Sequence, residues 1–151
     1  MTKFEEIIRY AIGLEKDSAD FYESLTKRTN KPEVKQVFLE MRDEELKHLK
    51  KLEDVLENHN LPEGKKYYPD PDLQIADYVV DVDENKENLS YQDILIIAMK
   101  REKSTLDLYT VLYDEIKDPD LKKVFGFLVE EEAKHKHFFE AKFDDDYLTS
   151  N

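Results

Sequence analysis

Two glutamate–histidine pairs, Glu45-x-x-His48 and Glu132-x-x-His135, stand 87 positions apart. Each follows another glutamate at the same distance: Glu15 lies 30 residues before Glu45, and Glu102 lies 30 residues before Glu132. Four carboxylates and two imidazoles in two equivalent sets are the donors of a site for two metal ions. On a helix the i, i+3 spacing puts the Glu and the His on one face, about one turn apart. One carboxylate can then bridge two ions while the imidazole binds one of them. Four carboxylates also balance the charge of two divalent cations.

The elements that must position these residues are four helical segments. The first runs from about Lys3 to Thr29, with Thr2 and Glu5 spaced as a capping box. Its apolar stripe is Ile8, Ile12, Ala19, Tyr22 and Leu25, and Glu15 falls inside that stripe. The second starts at Pro32 and runs to about Asn58, carrying Val34, Val37, Phe38, Met41, Leu52 and Val55, with Glu45 and His48 in the same row. The third follows Ser90 and carries Ile94, Ala98, Leu106, Tyr109 and Leu112 around Glu102. The fourth follows Asp118 and carries Leu121, Val124, Phe125, Leu128, Phe139 and Phe143 around Glu132 and His135. Each core face therefore carries a carboxylate near mid-length. A buried carboxylate is costly and persists when it is paired or coordinates a metal, and no Lys or Arg is expected at the same level of these stripes.

The two halves repeat without a gap. Positions 4–57 and 91–144 share about 16 of 54 residues, including Ala11/Ala98, Lys16/Lys103, Tyr22/Tyr109, Pro32/Pro119 and Phe38/Phe125. The expected architecture is all-α: one domain over 1–151, with repeats at about 3–58 and 90–144 joined by a crossover at 59–89. Each repeat is an antiparallel helical hairpin, and a pseudo-twofold relates the two. Under that arrangement the crossover spans the length of the bundle, and Tyr67, Tyr68, Ile75, Tyr78, Val79, Val80 and Val82 pin it there. The acidic tail 144–151 is expected to fray, and His59 and His137 to lie at the surface.

Composition narrows the chemistry. A net charge of -13 disfavours nucleic acid and anionic membranes as partners. With no cysteine, disulfides, thiolate zinc sites and iron–sulfur ligation are absent from this chain. The N-terminus lacks the apolar run of a signal peptide, and no stretch reaches the roughly 20 apolar residues of a membrane span, so a cytoplasmic location is expected.

The arrangement matches the known donor pattern of di-iron carboxylate bundles, a Glu from each of two helices and Glu-x-x-His from the other two. More specifically, Glu15-Lys16 with Phe21-Tyr22 and Glu44-Glu45-Leu46-Lys47-His48, then Glu102-Lys103 with Tyr109 and Glu131-Glu132-Ala133-Lys134-His135, resemble the two halves of a rubrerythrin-type, ferritin-like four-helix bundle. The likeness spans roughly residues 3–144. It implies that Glu15, Glu45, His48, Glu102, Glu132 and His135 bind two iron ions. It further implies that Tyr22 and Tyr109 hydrogen-bond ligand carboxylates, that the centre reduces hydrogen peroxide or dioxygen, and that the protein is a homodimer. Without cysteine there is no four-cysteine rubredoxin iron, so electrons are expected from a separate rubredoxin-like carrier. Thr105 stands where classical rubrerythrins carry a further glutamate, so their iron-shuttling step is not expected to transfer. Ferroxidase chemistry in iron handling, or a redox-silent metal-binding bundle, stays open beside the oxidoreductase reading. Carboxylate and imidazole also suit zinc and manganese.

Overall fold

A computed structural model describes residues 1–63 and 72–148. It contains helices α1 (Lys3–Thr26), α2 (Pro32–Asn58), α3 (Ile75–Tyr78), α4 (Tyr91–Glu115) and α5 (Pro119–Phe143), followed by a π-helical turn, Asp144–Leu148. Among the described residues there is no strand. The described residues fall into two compact units, Met1–Pro62 and Glu63–Asn151.

The helix starts follow from the residues that cap them. Thr2 accepts a hydrogen bond from the Glu5 amide at 3.1 Å, satisfying one of the four orphan donors of α1. Pro32 and Pro119 each open a helix where a missing N–H costs nothing. Ser90 and Asp93 form a reciprocal capping box at 3.1 and 3.0 Å. Asp118 accepts from the Asp120 and Leu121 amides at 2.8 and 3.3 Å. Asp118→Ala is expected to cost about 1 kcal/mol of stability, measurable as a lower denaturation midpoint at unchanged slope.

Two ends differ from the periodic pattern. Helix α1 stops at Thr26 rather than Thr29. The hydroxyls of Ser24 and Thr26 donate back to the Phe21 and Glu23 carbonyls, both at 2.6 Å, competing with the backbone ladder. The tail does not fray at once: residues 144–148 continue α5 as a π turn, with the Tyr147 ring 5.3 Å from Phe143 and 6.3 Å from Tyr91. Residues 149–151 lie outside the described residues.

In the first unit α1 packs along α2. Tyr22 stacks on Phe38 at 6.1 Å, and Arg42 reaches Glu23 across the pair at 3.3 Å. Ile12 and Val37 are half-buried edges of the stripe, whose centre is Ile8, Ala11, Glu15, Ala19 and Tyr22 on α1. In the second unit α4 packs along α5, with Tyr109 and Phe125 at 5.8 Å repeating the first unit's aromatic contact. Lys122 donates to the Tyr113 carbonyl at 2.5 Å and lies 4.3 Å from its ring, tying the end of α4 to α5.

The crossover is only partly as expected. Ile75 and Ala76 are buried, and α3 touches both α4 and α5. Val79 and Val82 are half-buried, whereas Tyr78 and Val80 are 63% and 84% exposed and do not pin the segment. A single helical turn directs only one pair of side chains inward. Tyr67 and Tyr68 lie outside the described residues. His59 is exposed, as expected, and closes α2 in a left-handed conformation (φ 53°), its ring 5.0 Å from Phe4. His137 is half-buried rather than at the surface, with its Nδ1 shielded.

Candidate metal centre

The first unit brings together three of the six donors. Glu15 on α1 and Glu45 on α2 are both 0% exposed, and His48, one turn after Glu45, is 2% exposed. The His48 Nδ1 lies 3.4 Å from a Glu15 oxygen and 4.0 Å from a Glu45 oxygen. The second unit repeats the arrangement with Glu102 on α4 and Glu132 and His135 on α5, all buried. Here the His135 Nδ1 lies 3.7 Å from Glu102 and 3.6 Å from Glu132. Within each triad every residue offers a ligand atom within 4.8 Å of the others. Both triads occupy the interior rows of their helices, where the apolar periodicity placed them.

These separations suit a cation. Ligand atoms held roughly 2.0–2.2 Å from one ion at angles near tetrahedral sit about 3.4 Å apart. The histidine–carboxylate distances match this at the short end and need to close by a few tenths of an ångström at the long end. The donor set fits a hard or borderline divalent ion.

The electrostatics of the second triad point the same way. Glu102 is pushed up to about 8, first by burial and then by the charge of Glu132 and a hydrogen bond with it, while His135 works in the opposite direction. Two carboxylates enclosed together resist ionising at the same time, so Glu102 holds a proton that a cation would displace.

Tyr22 and Tyr109 are fully buried, each against the equivalent phenylalanine of its unit. Thr105 is half-buried, and its hydroxyl donates to the Arg101 carbonyl at 3.1 Å, turned back onto its own helix. A cleft of about 430 Å³ lies between crossover residues 81–84 and α4, and its walls carry none of the six donors. Of the three cations in those walls, Lys100, Arg101 and Lys103, two have acidic partners close by: Lys100 pairs with Asp81 at 3.4 Å and Lys103 with Asp107 at 2.7 Å.

One buried polar group escaped the sequence pattern. Lys136 (6% exposed) pairs with Glu140 (1% exposed) at 3.1 Å and with Asp72 at 3.3 Å. A cation does therefore sit in the interior, adjacent in sequence to His135, and it pairs with Glu140 and Asp72. The available signal was a break in the repeat: Lys136 stands where the first copy has Leu49.

An all-helical chain with two buried Glu–Glu–His triads in repeated hairpins defines a class of carboxylate-rich helical metal-site protein. The rubrerythrin family model matches residues 6–143, so the chain belongs to the rubrerythrin family. Among solved structures, it is similar to a Thermotoga maritima protein described as a candidate ferritin-like diiron-carboxylate protein. The TM-score is 0.62 at 24% identity, covering 96% of each chain, so the fold is ferritin-like. No curated protein matches the chain. Among the described residues no helix is long and apolar enough to cross a membrane.

Proposed function

We propose that the two triads serve one dinuclear iron centre, and that the protein is an oxidoreductase reducing hydrogen peroxide or dioxygen with electrons from a separate carrier. The observation that carries this reading is the burial of four carboxylates and two imidazoles in two equivalent sets. Membership of the rubrerythrin family and the diiron-carboxylate description of the Thermotoga maritima protein support it. Two ferrous ions, when bound, supply the two electrons that, with two protons, convert one peroxide to two waters.

The protein's own contribution is positional and electrostatic. Glu15, Glu45, Glu102 and Glu132 bring four carboxyl groups into the interior, and once their protons are displaced they attract cations there far more strongly than in water. His48 and His135 each add one neutral nitrogen, setting different ligand types at the two ends of each Glu-x-x-His pair. Releasing the Glu102 proton on loading makes that carboxylate available as a ligand. Tyr22 and Tyr109, seven residues after Glu15 and Glu102, orient ligand carboxylates through their hydroxyls. Tyr22→Phe is then expected to keep its metal while slowing peroxide-driven oxidation by about tenfold, followed by stopped-flow absorbance.

The test is anaerobic loading with ferrous iron, followed by one equivalent of peroxide per chain. Rapid loss of all ferrous iron, and its recovery on adding a reductant over repeated cycles, supports the oxidoreductase. A single oxidation followed by iron release points instead to iron handling. Peroxide decay no faster than free iron gives would defeat the proposal.

A further inference from the structure

The Lys136–Glu140 pair lies in the interior of the second unit and has no part in the proposed centre. A buried ion pair is a poor source of stability, because desolvating both charges offsets most of their attraction. Its presence calls for a role that an apolar pair could not fill. Here the geometry is specific: Glu140 takes Lys136 on both carboxylate oxygens at 3.1 Å, and its Oε2 also accepts the Ala76 amide at 2.8 Å. Ala76 is the second residue of α3, whose own N-cap, Gln74, makes no side-chain capping bond and sits at φ 55°. Glu140 thus satisfies an orphan amide at the start of α3 from a helix 64 positions away. Lys136 adds a second tie to the same stretch through Asp72 at 3.3 Å.

The repeat sharpens the contrast. Glu140 has an identical counterpart in Glu53, but Glu53 is exposed, and Lys136 is replaced by Leu49. The first unit therefore lacks the pair, whereas in the second unit the pair meets residues 72–76 directly.

We propose that Lys136 and Glu140 form a latch that seats the crossover strap, residues 72–78, on α4 and α5, so that the strap opens as a local unit when the latch is broken. The strap depends on this polar clamp because only Ile75 and Ala76 of α3 are buried. Asp77 and Tyr78 are exposed, Leu73 is half-buried, and the other tie to α4 is the exposed Asp77–Lys103 pair at 3.9 Å. The latch does not depend on the metal reading.

Hydrogen–deuterium exchange on the metal-free full chain tests it. In Glu140→Ala the Ala76 amide loses a charged acceptor while Lys136 keeps Asp72 at 3.3 Å, and Ala76 exchange should quicken by about 10- to 100-fold more than that of the α4 and α5 amides. Lys136→Met alone strands a buried carboxylate, so the companion is the double variant Lys136→Met with Glu140→Leu. It should keep the helix content and melting behaviour of the native chain while the Ala76 amide stays fast. Ala76 exchange within twofold of the native chain in either variant would overturn the latch. So would faster exchange spread evenly over α4 and α5, which would mark a general loss of stability rather than a local opening.

Discussion

Glu45→Ala is expected to lose metal by more than about 100-fold in affinity, since removing a direct ligand costs more than the 10- to 100-fold typical of its outer partners. Glu45 is fully enclosed and lies one turn before His48 on the same helical face. The stability effect should run the other way when the volume is kept. In the metal-free protein Glu45 is a fully enclosed carboxyl grouped with Glu15 and His48, and Glu45→Gln removes one ionisable group from that buried cluster with little change in shape. The metal-free Gln variant should therefore melt at or above the native chain, while Glu45→Ala is offset by the cavity it leaves. Metal analysis and thermal melts of the three proteins separate the two effects. Full metal retention by Glu45→Ala would show that the ligand assignment is wrong.

The second large effect is a pH dependence that changes sign with metal. Glu102 is raised from 4.5 to about 8, by burial and then by Glu132. Between those values the folded, metal-free protein holds a proton that the unfolded chain releases. The folded state binds more protons, so stability falls as pH rises. The Glu102 contribution is fully present below about 4.5 and is lost as pH passes through about 8. Metal-free protein should accordingly melt several degrees lower at pH 8 than at pH 6. Metal binding displaces the same proton, so affinity should climb over that window by up to about tenfold per pH unit for each proton released. Glu102→Gln should flatten the melting profile and weaken binding. A metal-free melting temperature that rises steadily from pH 5 to pH 8 would contradict this assignment.

What the sequence makes legible follows from where local rules are strong. Pro32, Ser90 with Asp93, and Asp118 with Pro119 mark helix starts because a cap satisfies amides within three or four residues, and those starts agree with the structure. Glu15, Glu45, Glu102 and Glu132 stand out because a charge on an apolar row contradicts its surroundings, and all four are buried. The end of α1 is misread because hydroxyls at Ser24 and Thr26 compete with the helix, which periodicity does not register. The Lys136–Glu140 pair is marked by the break in the repeat at Lys136, but its contacts are not legible, for a different reason. Its partners, Asp72 and Ala76, come from 64 positions away, and no local pattern announces such a contact. Tyr78 and Val80 show the converse error: an apolar run suggests burial, yet one turn of helix turns only Ile75 and Ala76 inward.

The most direct test of the central claim is the metal stoichiometry of the native chain, loaded anaerobically with ferrous iron, desalted and analysed by elemental mass spectrometry. Two ions per chain, absent after Glu45→Ala, is the predicted result. One ion or none per native chain would contradict a dinuclear centre built from Glu15, Glu45, His48, Glu102, Glu132 and His135.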